Sequence, residues 1–139
     1  MCIELLVIGA GGHAKVVIEA AGTEVNKYRI RLVDQDITRA GKLFLGTVMI
    51  EPLEGWENLP KYFHVALGDN SARQQLCDLA ITNGKELVSV FHADASISSN
   101  ANIEQGCFVA AKAIVAADAN IGIGTILNHG SIVDHDCVI

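Results

Sequence analysis

The chain predicts two successive architectures: a small parallel α/β domain over residues 1–91, then a parallel β-helix over residues 92–139. Three observations carry this. From Ile97 onward one aliphatic side chain returns at every sixth position: Ile97, Ile103, Val109, Val115, Ile121, Leu127, Val133 and Ile139. Two positions before each stands a small residue: Ala95, Ala101, Cys107, Ala113, Ala119, Thr125, Ser131 and Cys137. Upstream, apolar runs alternate with helix-like stretches and open on a glycine-rich turn. Neither the helical period nor plain alternation yields a six-residue repeat. Hexapeptide repeats mark a β-helix in which each repeat supplies one short strand and one corner.

Residues two apart on a strand face the same side, so the small and the aliphatic residue of each hexad both point inward. The stretch resembles the hexapeptide acyltransferases, in which three hexads close one triangular coil. On that likeness the faces carry the ladders Ile97/Val115/Val133, Ile103/Ile121/Ile139 and Val109/Leu127. β-branched residues fill such pleated walls well. An ordinary sandwich of short strands is the plainer alternative.

In the first domain Met1–Ile8 reads as an opening strand, its apolar part being Ile3 and Leu5–Ile8, and Glu4 together with the lack of a basic leader argues against a signal peptide. The turn Gly9-Ala10-Gly11-Gly12-His13-Ala14-Lys15 follows, then helical Val16–Ala21 with Gly22 as its stop. Ile30–Val33 is a second strand, ended by Asp34-Gln35-Asp36; a weaker one lies near Leu45–Ile50, and another is Val65–Leu67. Ser71-Ala72-Arg73-Gln74 has the form of a capping box opening a helix to about Thr82. Leu87–Phe91 is the last strand, and the boundary falls near His92. Strand–helix alternation implies a parallel, Rossmann-like sheet covered by helices.

Composition narrows the function. Half of the 139 residues are hydrophobic, enough for a core, and the net charge of −6 argues against a nucleic-acid or anionic-membrane partner. No apolar run is long enough to span a bilayer. The four cysteines, Cys2, Cys77, Cys107 and Cys137, show no paired spacing and read as free thiols of a reducing, cytoplasmic setting. Cys107 and Cys137 are not a multiple of eighteen apart, so they fall on different faces of the coil.

A strand, a glycine turn and a helix form the layout of a nucleotide-phosphate site, where glycine admits a close ligand and the helix N-terminus offers free N–H groups. The turn meets the looser dinucleotide fingerprint, with Ala14 at its third small position. Asp34 and Asp36 stand where an acid accepts hydrogen bonds from a ribose or base. A tight strand–helix turn with a solvated acidic pair is the structural alternative. A NAD-linked oxidoreductase would need a second half-sheet, and here the chain leaves for the β-helix instead.

Both halves together, Gly9-Ala-Gly-Gly-His-Ala-Lys15, Asp34-Gln-Asp36, Gly68-Asp-Asn70 with Arg73, the hexads, and Asn128-His-Gly-Ser-Ile-Val-Asp-His-Asp-Cys137, resemble the sialic acid O-acetyltransferase family, which includes bacterial nucleotide-sugar N-acetyltransferases of surface-glycan pathways. The resemblance implies a left-handed β-helix, a homotrimer, and acetyl-CoA as co-substrate in the groove between neighbouring β-helices. No metal is expected. By motif match His135 is the catalytic base and Asp136 the acid beside it. His13 is the histidine of the glycine turn that reaches toward a sugar nucleotide, often UDP-linked. Asp34 and Asp36 lie near the base and ribose, and Asn128 is a polar residue close to the reacting group. Gly9, Gly11, Gly12, Lys15, Gly68 and Asn70 complete the implied substrate site.

The chemistry suits these residues. Acetyl transfer from a thioester needs a base to take a proton from the attacking hydroxyl or amine, and an imidazole of near-neutral pKa does so. A carboxylate can fix its tautomer. Neighbouring residues point apart in a regular strand, so Asp134 competes with Asp136 for His135. His129 and His135 share a hexad register and fall at successive corners, and His92 at the boundary has a structural role. Two corner histidines alone do not make a zinc site, which needs three or four ligands.

Ile139 is an inward repeat position with no cap after it, so the β-helix is expected to be incomplete. Two readings follow: an acetyl-CoA-dependent acetyltransferase of a sugar or nucleotide-sugar, or a truncated, non-catalytic nucleotide-sugar-binding module lacking the acetyl-CoA groove.

Overall fold

The chain is described from a computed structural model covering residues 2–139; Met1, the first residue of the expected opening strand, lies outside the described residues. Strand β1 (Ile3–Ile8) is buried on both sides from Leu5 to Ile8, and that part reads as an unbroken apolar run. Helix α1 spans Gly12–Gly22, β2 Tyr28–Asp34, β3 Leu43–Phe44, β4 Val48–Pro52, β5 Tyr62–Val65, α2 Asn70–Thr82 and β6 Glu86–Leu87. These strands form one six-stranded sheet in the order β3-β4-β2-β1-β5-β6. The pairs β1–β2, β2–β4, β1–β5 and β5–β6 are parallel, and β3–β4 is antiparallel.

Alternate residues of β1 serve opposite cores. Leu5 and Val7 pack with Ala14, Val17 and Ala20 of α1, while Leu6 and Ile8 pack with Leu76, Cys77 and Ala80 of α2. Because β1 is followed by pairing on one side and β5 returns on the other, the strand order reverses beside the carboxyl end of β1. Open α/β sheets bind ligands at such a crevice.

The second body consists of two-residue strands: β7 (Val90–Phe91), β8 (Ser96–Ile97), β9 (Asn102–Ile103), β10 (Phe108–Val109), β11 (Ile114–Val115), β12 (Asn120–Ile121), β13 (Ile126–Leu127) and β14 (Ile132–Val133). They stack in parallel as β7-β10-β13, β8-β11-β14 and β9-β12. The registers are those the hexads predict: Val115 pairs with Ile97 and Val133, Ile121 with Ile103, and Val109 with Leu127. Asn120 also bridges to Val138, which sets Ile139 beside Ile121. Val109, Val115, Ile121, Leu127 and Val133 share one buried interior with Cys107, Ala113 and Ala119. At the column's ends Ile97 and Ile139 are 36% and 56% exposed.

Several boundaries differ from expectation, each for a local reason. Helix α1 begins at Gly12, within the glycine turn and four residues before the apolar run. The weak strand near Leu45–Ile50 is the hairpin β3–β4, broken by left-handed Leu45 and Gly46. The strand expected at Val65–Leu67 is Tyr62–Val65, because a buried histidine, His64, occupies its middle. Asp69 rather than Ser71 caps α2, accepting from the Ala72 N–H at 2.7 Å. The expected strand Leu87–Phe91 is two strands: Glu86–Leu87 ends the sheet, and Val90–Phe91 pairs with β10.

The two bodies meet closely. The outward ladder Val90/Phe108/Ile126 is apolar and joins the core under α1, while the outward Asn102/Asn120 ladder is polar and exposed. Gly106 approaches so near that a Cβ there would lie 2.5 Å from Leu87 Cδ2, and its φ of +77° already favours glycine.

Candidate active site

The carboxyl ends of β1, β2 and β5 bring the glycine turn, the acidic pair and the Gly68 loop together. Gly9 has φ +109°, and a Cβ there would fall 2.7 Å from Leu67 Cδ2 and 3.0 Å from the Ala66 carbonyl, so glycine is required at this crossing. Gly11 caps α1 from extended backbone, and nothing crowds Gly12, so neither needs glycine for its own conformation. Their small size leaves the helix N-terminus open to an anion. Lys15 projects from the first turn into solvent.

Asp34 is only 12% exposed at its side chain and is held on both oxygens. Its Oδ2 accepts from the Ala10 N–H at 2.7 Å and its Oδ1 from the Asp36 N–H at 2.7 Å. It braces the glycine turn against the end of β2. Asp36 accepts from the Thr38 N–H and hydroxyl, and these bonds, the hydroxyl first, hold its carboxyl below the usual range. Arg39 closes the group, donating to the Ala10 carbonyl at 2.7 Å and standing 3.6 Å from both acids.

His13 lies half-buried where the bodies meet. Its ring meets the edge of Phe108 at 5.2 Å between centroids, and its Nε2 is buried without a hydrogen-bond partner. Burial first, then the charge of Arg73 and the proximity of His129, lower its pKa, so the ring is neutral at pH 7. Asn128 and His129 are exposed at their corner; Gly68 and Asn70 both accept from Arg73, through a carbonyl at 3.3 Å and Oδ1 at 2.7 Å.

His135 and Asp136 form the other centre. Asp136 has φ +60°, and this left-handed residue ends the regular strand geometry. Its side chain therefore turns back, and Oδ2 lies 2.7 Å from His135 Nδ1. The competition expected from Asp134 is resolved: its Oδ1 accepts the His135 backbone N–H at 2.7 Å. The Asp136 bond first, then the Asp134 charge, raise the His135 pKa above its ordinary value. With Nδ1–H donated to Asp136, Nε2 is an acceptor on a side chain 71% exposed. Among the described residues, no hydrogen bond or ion pair joins this pair to the glycine turn. His92 accepts the Asp94 N–H at its Nδ1, a local cap.

Two contributors escaped the sequence reading. His64, 1% exposed, holds its Nδ1 2.9 Å from the Val88 carbonyl beneath Phe108. Burial dominates, and its pKa falls to about 4. The only hint was a histidine inside an apolar strand. Phe108, the floor under His13, could have been found from the apolar outward ladder that it shares with Val90 and Ile126.

A glycine-turn α/β domain feeding a six-residue-repeat β-helix defines the class of the hexapeptide-repeat acetyltransferase fold, with its left-handed coil. Within it, the chain belongs to the family of the PglD N-terminal domain, whose model matches residues 4–80. No curated protein sequence matches it significantly. Among solved structures, it is similar to a histidine-to-alanine variant of GDP-perosamine N-acetyltransferase from Caulobacter crescentus in complex with CoA and GDP-perosamine. The TM-score is 0.85 at 35% identity, over 96% of this chain and 64% of that one. It is also similar to the acetyltransferase domain of PglB from Neisseria gonorrhoeae FA1090, with TM-score 0.87 and 38% identity over 97% and 66%. The same domain in complex with acetyl coenzyme A matches at TM-score 0.83 and 36% identity. The chain thus spans 64–66% of the length of these relatives. The resemblance to nucleotide-sugar acetyltransferases read from the motifs holds.

Proposed function

We propose that the protein transfers the acetyl group of acetyl-CoA to the amino group of a nucleotide-linked amino sugar, as a step in surface-glycan biosynthesis in the cytoplasm. The observation that carries the reading is the His135–Asp136 pair, 2.7 Å apart with the ring exposed on a β-helix corner. The named activities and ligands of the similar Caulobacter and Neisseria proteins support the donor, the class of acceptor and nitrogen as the acceptor atom.

Neutral His135 takes a proton at Nε2 as the sugar nitrogen attacks the thioester carbonyl. The tetrahedral intermediate then expels the CoA thiolate, which leaves as the thiol once protonated. Asp136 holds the tautomer and stabilises the imidazolium. The glycine turn, His13 and the Asn70 end of α2 hold the nucleotide sugar, with Asp34 and Asp36 shaping the turn and Asn128 beside the acceptor. His135 has no bond to that cradle in one chain, so we assign completion of the site to a neighbouring copy in a trimer, with acetyl-CoA in the groove between them.

The test is thiol release from acetyl-CoA with GDP- and UDP-linked amino sugars. His135→Ala should lower kcat about 10²–10⁴-fold with the circular dichroism spectrum unchanged. Equal rates in both proteins would remove His135 from the mechanism, and no release by the wild type would leave nucleotide-sugar binding alone.

A further inference from the structure

We propose that Arg73 is a positioning residue whose forked hydrogen bonds clamp the β-helix onto the substrate end of the α/β sheet. Its guanidinium starts on α2 and is engaged on every side. Nε donates to the Gly124 carbonyl at 2.9 Å, one terminal nitrogen to the carbonyls of Leu67 at 3.0 Å and Gly68 at 3.3 Å, and the other to Asn70 Oδ1 at 2.7 Å. Two of these acceptors lie in the loop after β5, the third is Asn70 at the start of α2, and the fourth is on a β-helix coil. Planar, rigid and always charged, arginine can span such a set where lysine, a single point of charge, cannot.

What each arm touches gives the clamp its consequence. The loop arm ends at Leu67, the residue against which Gly9 closes. The coil arm ends at Gly124, a left-handed corner that leads into β13, whose Ile126 pairs with Phe108. Phe108 in turn meets the ring of His13. The next corner carries Asn128 and His129, near enough to His13 to act on it. Arg73 therefore sets the spacing between the glycine turn and the coil that faces it. It also places its charge near His13 and His64, which disfavours protonating either ring. His13 is faced by Arg73 from α2, His129 from the β-helix and His64 from β5. The carboxylates at the end of β2 are engaged with backbone N–H groups and Arg39.

The effect on substrate rests on the nucleotide-sugar reading above; the geometric effect does not. Arg73→Lys and Arg73→Gln are compared with wild type by titration calorimetry with GDP and UDP, by histidine-ring NMR titration, and by the ring-to-ring nuclear Overhauser contact between His13 and Phe108. Both variants should bind the diphosphate about tenfold more weakly, with the far-ultraviolet circular dichroism of the folded protein. Both should also lose the ring contact. The His13 midpoint should rise in both as the ring loses its burial, and rise further in Arg73→Gln than in Arg73→Lys, which keeps the charge. Affinity within twofold of wild type in either folded variant overturns the proposal, as does full rescue by lysine. If wild type binds neither diphosphate, the substrate reading fails and the ring contact decides. Its loss in Arg73→Gln supports the clamp, and its persistence refutes it.

Discussion

Asp136 shows how a single backbone angle brings a carboxylate onto a neighbouring histidine. Two neighbours on a strand diverge, yet the φ of +60° at Asp136 folds its carboxylate onto His135. A left-handed φ also recurs at Gly106, Lys112, Asp118, Gly124 and Gly130, one residue in each hexad from Gly106 onward. That ladder is rich in glycine and aspartate, the residues that tolerate a left-handed backbone. The hexad thus contains a third register besides the small and aliphatic ones, visible in the sequence as a six-residue column of glycine and aspartate interrupted by Lys112. A different residue-scale effect concerns His64. Its folded pKa near 4 lies below the ordinary 6.5, so the fold favours the neutral ring. The stabilisation is full above pH 6.5 and is lost as pH falls toward 4, amounting to about 3 kcal/mol. Urea unfolding at pH 7 and pH 5 should show the wild type weakening on acidification more than His64→Gln. Parallel losses would contradict a neutral buried ring.

At the scale of the element, the coil's inner and outer ladders should respond oppositely to the same kind of change. Ile121 is 1% exposed in the column, and Ile121→Ala should cost about 2–5 kcal/mol in urea unfolding. Ile132, outward on β14 and exposed, should tolerate serine within about 0.5 kcal/mol. Gly106→Ala forces both a left-handed alanine and a contact with Leu87, and should cost at least about 1 kcal/mol. A Gly106→Ala protein as stable as wild type would mean that the two bodies do not touch there. The β-helix registers were readable because a six-residue repeat admits one stacking. The α/β elements were readable in kind but not in extent. Gly12 and His13 are poor helix signals, yet the turn geometry enters them into α1. Polar-looking His64 hid the start of β5, and Asp69 outcompeted Ser71 because its carboxylate reaches the Ala72 N–H. Asp34 and Asp36 were found as a pair, but their inward hydrogen bonds to the turn depend on contacts across strands that no local pattern records.

For the molecule as a whole, the proposed cradle stands at the strand ends of the α/β sheet and the proposed base on a corner of the β-helix. Among the described residues no hydrogen bond or ion pair joins the two, so the shared site requires a trimer by equilibrium sedimentation, and a monomer of full activity would refute it. No helix among the described residues is long and apolar enough to cross a membrane. If the β-helix corner turns Asp136 onto His135 to make the general base, the pairing will show in the pH dependence of kcat/KM. The base works when neutral, and Asp136 raises its pKa, so wild-type activity should climb with pH through a midpoint above 6.5. Asp136→Asn should move that midpoint down while lowering the plateau, whereas an unmoved midpoint in the variant would contradict the pairing on which the account rests.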